Sequence, residues 1–312
     1  MYQPAEMSIW RGRVDHEEGA LAVRWHERVT AMHGAIGPGV ALLGFRCDAG
    51  VTRNQGRPGA KQGPTVIRQA LANMAWHQTR LVHDAGDVHC EDDQLEAAQT
   101  VLAREVAQCL MDGHFPIVLG GGHEVAFGSF LGLARFAESQ PKPPRIGIIN
   151  FDAHFDLRGS ERPSSGTPFR QIARMCQESG WPFRYCCLGV SEPGNTPALF
   201  ATARELNVLW RLDDEMGIHQ LADSQQQVNA FVESVDWIYL TICLDVLPAA
   251  VAPGVSAPAA RGVALEVVET LIDQIKQSGK LKMADVAEMN PSFDIDNRTA
   301  KVAARLVWRL AR

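Results

Sequence analysis

Strand-length apolar runs alternate with helical segments from one end of this 312-residue chain to the other, and that alternation restricts its fold more than any other feature. The runs are GVALLGF (39–45), RLVH (80–83), FPIVLG (115–120), RIGIINF (145–151), RYCCLGV (184–190), NVLWR (207–211), DWIYLTICLDV (236–246) and KMADVAE (282–288). Between them apolar residues recur at helical spacing. Leu95, Ala98, Leu102, Cys109 and Leu110 form one stripe with Gly113 as a stop, and ALEVVETLIDQIKQSG forms another ended by glycine. Alternating strands and helices predict an α/β fold, a parallel sheet with helices on both faces. No internal repeat or low-complexity tract interrupts the pattern. The sequence therefore predicts a single domain over 1–312, with residues 1–35 as an N-terminal extension packed on it.

Ligands of such sheets bind beyond the carboxyl ends of the strands. The residues collected there are His123 in GGGHE, then Asp152, His154 and Asp156 in NFDAHFDLR, Cys243 and Asp245 in TICLDV, and Glu288 in EMNP. If the strand continues through D-x-H-x-D, its period of two puts all three side chains on one face. Two carboxylates and an imidazole crowded together are costly unless a cation compensates them. With His123 and Asp245 they exceed the needs of one tetrahedral ion. Carboxylate and imidazole without several thiolates suit a pair of ions such as Mn²⁺, which can share a water and lower its pKa. Simpler readings exist for single pieces: His123 as a helix-capping residue, or the glycine run as a phosphate loop, although no GK[ST] follows it. HDAGDVH (83–89) reads as an Asp-Gly turn in preference to a second metal site. Trp25, Trp76, Trp181 and Trp308 read as packing residues.

Composition narrows the partners. A net charge of −6 argues against nucleic acid or an anionic membrane surface. No apolar run approaches the ~20 residues needed to span a bilayer, and MYQPAEMSIWRGRVDHEEG has no secretory apolar core. Seven cysteines without a CxxC pair suit a reducing, cytoplasmic compartment.

Taken in order, LGGGHE, NFDAHFDLR, TICLDV and DVAEMNP resemble the motifs of the ureohydrolases, the arginase and agmatinase family. The resemblance covers roughly residues 40 to 310. It implies a three-layer α/β/α sandwich with an eight-stranded, mostly parallel sheet. It also implies a centre of two Mn²⁺ per chain that hydrolyses a C–N bond of a guanidine or amidine. Carried over by position, His123 and Asp156 would hold one ion with Asp152 bridging, His154 and Asp245 the other, and Cys243 would bridge. Glu288 would pair with the amidinium, and Asp156 would carry a proton to the leaving nitrogen. Two positions depart from the family pattern. Where relatives write S-x-D-x-D, this chain has Thr241, Ile242, Cys243, Leu244 and Asp245, so a thiolate replaces a carboxylate. Where many write HGT or HGM, it has SSGTPFRQ with Ser165, so no histidine stands near the entrance.

Charges near the rim predict the substrate tail. GVTRNQGRPGAKQGP carries Arg53, Arg57 and Lys61 without an acid, and LRGSERPSSGTPFRQ adds Arg158, Arg162 and Arg170 against one glutamate. Forked guanidinium donors suit carboxylates. The expected partner is a small anionic amidine, contacted by Arg53, Asn54, Arg57, Ser165, Thr167 and Arg170, with a homo-oligomer possible. The alternatives are another anionic guanidino acid, such as guanidinobutyrate, and a metal-binding regulator that has lost catalysis through Cys243. Cys47, just past the first strand, is expected on the same rim as Cys243, and a Cys47–Cys243 disulfide in oxidised, metal-free protein is a further expectation.

Overall fold

The computed structural model describes residues 1–312, the side chain of Ala20 excepted. The eight expected strands are present as β3 (Val40–Arg46), β4 (Val82–His89), β5 (Phe115–Leu119), β6 (Ile146–Phe151), β7 (Tyr185–Val190), β8 (Leu209–Leu212), β9 (Trp237–Cys243) and β10 (Leu281–Ala287). Two-residue strands β1 (Tyr2–Gln3) and β2 (Thr30–Ala31) add to β4 and bring the sheet to ten strands among the described residues. The order is β1-β4-β3-β5-β10-β9-β6-β7-β8, with β2 also on β4. Every pairing is parallel except β1 with β4.

After the one-and-a-half-turn α1 (Ala49–Arg53), eight helices cover the two faces. On one side lie α2 (Gly63–Ala72), α7 (Leu221–Glu233), α8 (Leu265–Gln277) and α9 (Arg298–Ala311). On the other lie α3 (Leu95–Met111), α4 (Val125–Glu138), α5 (Pro168–Glu178) and α6 (Pro197–Glu205). The strands feed both cores by simple alternation: Val40 and Leu42 of β3 face the α2 side, whereas Ala41, Leu43 and Phe45 face the α3 side. The predicted stripe of α3 is buried, and Gly113 ends the segment at φ 79°.

HDAGDVH is a correction. It is neither a turn nor a metal site but the body of β4. A strand tolerates two buried aspartates here because Arg68 of α2 reaches both. Its Nε and Nη2 bond Asp84 at 2.9 Å, and its Nη1 bonds Asp87 at 2.7 Å. Gly86, at φ 78°, accommodates a bulge where the register shifts against β3. Trp10 closes the network from the N-terminal segment, donating to Asp84 at 2.7 Å. Arg68→Met should leave Asp84 buried without a cation and Asp87 with only the more distant Arg46 at 3.8 Å, and cost about 3–5 kcal/mol of stability, read as a lower urea midpoint. An unchanged midpoint would show that the pair is not needed as a charged unit.

Candidate functional site

Four adjacent central strands, β5, β10, β9 and β6, end on one cavity of about 310 Å³ lined by His123, Glu288, Cys243, Asp245, His154 and Asp156. Residues more than a hundred positions apart meet because β10 and β9 lie between β5 and β6.

Each side chain is aimed by local structure. Gly122 N–H donates to the Cys47 carbonyl at 3.0 Å, and a Cβ on Gly121 would collide with that same oxygen. The glycine run thus serves a close backbone approach that brings in His123. The His123 ring does not cap α4; it faces two carboxylates, and its backbone N–H donates to Glu288 Oε1 at 2.9 Å. The expectation that strand alternation aligns D-x-H-x-D needs correction, since β6 stops at Phe151. A turn brings the three together. His154 N–H donates to Asp152 Oδ1 at 2.7 Å, and Phe155 N–H donates to Asn195 Oδ1 at 3.1 Å. Asn195 Nδ2 donates to the Ala153 and Ser191 carbonyls, both at 2.9 Å. Asp156 then adopts φ 49°, and Glu288 adopts φ 72°. Left-handed backbone at a non-glycine residue costs on the order of 1–3 kcal/mol. Here it falls on two cavity-lining carboxylic acids.

Asp152 is the shared element. Its side chain belongs to two groups of converging ligand atoms, one with His123 and Cys243 and one with His154 and Asp245. His123 Nδ1 lies 2.8 Å from Asp152 Oδ2 and 2.9 Å from Asp156 Oδ2. His154 Nδ1 lies 3.1 Å from Asp245 Oδ2 and 3.5 Å from Asp152 Oδ1. Burial would raise the Asp152 pKa, but the imidazoles of His123 and His154 outweigh it and hold the carboxyl below its usual range. Burial pushes Asp156 up to about 6, with the charge of Asp152 adding to it. Glu288 rises to about 8, first through burial and then through Glu124 and Asp245. The Cys243 thiol is pushed well up by burial and by the carboxylates of Asp152, Asp245 and Glu288. As a group these residues carry more acid than their imidazoles neutralise, an excess that a bound cation would compensate.

Of the expected substrate contacts, Asn54, Arg57 and Ser165 line the cavity, and Asn54 Nδ2 donates to Ser165 Oγ at 3.2 Å. Arg53, Thr167 and Arg170 are not brought to it. Arg53 is committed to Asp93 (2.7 Å), Glu96 (2.8 Å) and the Pro163 carbonyl (3.0 Å). Thr167 is locked in the turn before α5, accepting from Ser164 N–H at 2.9 Å, and Arg170 sits on the first turn of α5. Even Arg57 spends its guanidinium on the Val255 and Ser256 carbonyls and packs it over the Phe293 ring. Arg158 does differ: it lines the cavity, is exposed, and has no side-chain hydrogen bond among the described residues. The sequence places Arg158 among the rim arginines but not in the site. It gives no sign of Asn195, whose role depends on the loop beyond β7 folding against the turn after β6.

The expected Cys47–Cys243 pairing is overturned by topology. β5 and β10 separate β3 from β9, so the two cysteines stand about 14 Å apart at ~4.8 Å per strand, beyond the ~7 Å Cα reach of a disulfide. The thiol beside Cys47 is that of Cys90, just past the end of the adjacent strand β4, and its proximity, with burial, pushes the Cys47 pKa far up.

Fold and site together define a class. A model of the arginase family matches residues 38–312, and the chain belongs to that family. Particular relatives are closer still. The formimidoylglutamase of Ralstonia nicotianae is 58% identical over 99% of this chain and 96% of that protein. That of Aeromonas hydrophila is 57% identical over 100% and 99%. Among solved structures, Trypanosoma cruzi formiminoglutamase with Mn²⁺ aligns at a TM-score of 0.78 and 25% identity, covering 88% of this chain and 92% of that one. Formimidoylglutamase from Bacillus subtilis, at 22% identity, shares the fold at a TM-score of 0.82 over 96% and 93%. No helix among the described residues is long and apolar enough to cross a membrane.

Proposed function

We propose that this chain is a hydrolase that converts N-formimino-L-glutamate and water to L-glutamate and formamide, using two Mn²⁺ per chain. The observation that carries the reading is 58% identity to a formimidoylglutamase along 99% of the chain. The relatives give no support to the guanidino-acid or regulator alternatives.

The residues fit a pair of divalent ions. His123 Nδ1 is buried and makes no hydrogen bond among the described residues, although two carboxylate oxygens lie within 2.9 Å of it. That close, unbonded convergence is what a cation relieves. His123 and Asp156 would hold one ion, His154 and Asp245 the other, with Asp152 serving both and Cys243 beside the first. When bound, the pair supplies a water of lowered pKa and positive charge against the charge that develops on the formimino carbon's substituents.

The protein's own groups do the rest. Glu288 keeps Oε1 on the His123 N–H, while Oε2 is buried without a partner among the described residues. The free oxygen suits the substrate amidinium and orients it. Asp156 takes up a proton and returns it to the departing glutamate nitrogen as the C–N bond breaks. Arg158 supplies a free guanidinium for a substrate carboxylate, with Asn54 and Ser165 as neutral partners. Arg158→Met should raise KM for N-formimino-glutamate about tenfold or more, the worth of a charged hydrogen bond. It should leave KM for an uncharged amidine unchanged. Equal effects on the two substrates would place anion recognition elsewhere.

Metal uptake should also depend on pH with a definite sign. Burial opposes protonation of His123 and His154, but Asp152 and Asp156 beside the first, and Asp245 and Asp152 beside the second, raise both pKa values well above the ordinary imidazole value. Ligation requires the neutral ring, so binding releases protons and Mn²⁺ affinity climbs as pH rises. Proton release during a weakly buffered Mn²⁺ titration checks this. A pH-independent affinity would remove both imidazoles from the ligand set.

A further inference from the structure

Behind His123, away from the cavity, a buried polar chain runs into the sheet. His123 Nε2 lies 3.0 Å from Thr241 Oγ1. Thr241 is paired in register with Asp285 across β9 and β10. Tyr239 donates its phenol hydrogen to Asp285 Oδ2 at 2.5 Å. Thr241, Asp285 and Tyr239 are all fully buried under α4, whose Phe130 ring lies beside Tyr239. Asp285 Oδ1 has no hydrogen-bond partner among the described residues, and no arginine or lysine balances the carboxyl. An acid kept in an apolar layer at this cost calls for a reason beyond packing.

We propose that Asp285, acting through Thr241, is a positioning residue that fixes which nitrogen of His123 is free to ligate metal. The inference rests on the metal reading of the site. A threonine hydroxyl has a single hydrogen. With that hydrogen turned to Asp285, Thr241 Oγ1 can only accept from His123 Nε2–H, and the Nδ1 lone pair faces the cavity with Asp152 and Asp156. With it turned to Nε2, the ring proton must sit on Nδ1, and ligation is blocked. The carboxylate sets the first arrangement, because Tyr239 already supplies a hydrogen to its other oxygen and leaves Oδ1 as an acceptor. Burial dominates and raises the Asp285 pKa, while the neighbouring hydroxyls of Thr241 and Tyr239 act in the opposite direction.

Asp285→Asn keeps the shape and offers an amide hydrogen to Thr241, which reverses the chain. Mn²⁺ titration followed by electron paramagnetic resonance should show the affinity of the His123-containing position falling about 10–100-fold, the usual effect of losing an outer partner of a ligating histidine. The position held by His154 and Asp245 should be unchanged. Thr241→Val should give the same loss, Thr241→Ser should restore it, and Asp285→Asn should add nothing in the Thr241→Val background. Nitrogen-15 shifts of His123 in Zn²⁺-loaded protein should report Nε2–H in wild type and a loss of that signature in Asp285→Asn. A lower Tm with both affinities intact would make Asp285 a packing residue and overturn the inference. A full extra loss in the Thr241→Val background would do the same, since the effect would not pass through Thr241. Wild-type protein that takes up no Mn²⁺ would overturn the metal reading itself, a result distinguishable from either.

Discussion

Asp152→Asn is expected to abolish Mn²⁺ uptake at both positions together. Asp152 is the one side chain common to the two groups of converging ligand atoms, and its two oxygens face different imidazoles. An amide can present one weak oxygen ligand and must turn a hydrogen-bearing nitrogen toward the other side. The buried imidazole of His123 and the part-buried one of His154 would then lose the anion that stands between them. Several kcal/mol of transition-state stabilisation go with the ions, so kcat/KM should fall by about 10³-fold or more. Elemental analysis gives the direct reading, two ions per chain in wild type and none in the variant. His123→Asn is the control: it should weaken one position and leave the other filled. An Asp152→Asn protein that keeps two ions would show that the carboxylate is not shared.

Glu288→Gln should reduce kcat by about 10²–10³-fold with metal content nearly intact, the scale set by losing one preorganised electrostatic partner. The glutamine oxygen can still accept from the His123 N–H, so the loop before α4 keeps its anchor. The change falls on the other atom, where a carboxylate oxygen is replaced by an amide nitrogen whose hydrogens meet the amidinium. Attraction becomes repulsion at the point where the substrate's amidinium is held. Burial and the neighbouring acids Glu124 and Asp245 hold Glu288 up near 8, so the substrate cation itself favours the ionised form on binding. Wild-type kcat/KM in the variant would remove Glu288 from the site.

The parts legible in the sequence share a physical basis. Buried parallel strands are continuous apolar runs, and function gathers at their carboxyl ends. His123, Asp152, His154, Asp245 and Glu288 could therefore be collected without knowing the strand order. What resisted reading depends on partners distant in sequence. HDAGDVH resembles a turn until Arg68, from another element, neutralises its aspartates. Rim arginines look alike in sequence; only the fold shows that Arg53 is spent on Asp93 and Glu96 and that Arg158 is free. The spacing of D-x-H-x-D suggested strand alternation, whereas the convergence comes from a left-handed Asp156 and a clamp by Asn195. Thr241 and Asp285 lie inside strands, where a polar residue gives no signal until its neighbour across the sheet is known.

The placement of β10 has a consequence for how the molecule comes into being. This strand, made only after nearly nine-tenths of the chain has been synthesised, inserts between β5 and β9 and joins the two halves of the sheet. Until it arrives, the nascent protein exposes the open edge of β5, a template for pairing with other chains. Until then His123, at the end of β5, is held apart from Asp152, His154, Cys243 and Asp245, which the already adjacent β6 and β9 carry. The proposed metal centre would thus be an indicator of completed synthesis: a polypeptide cut short before residue 281 carries all six proposed ligands but lacks the strand that brings His123 to the rest.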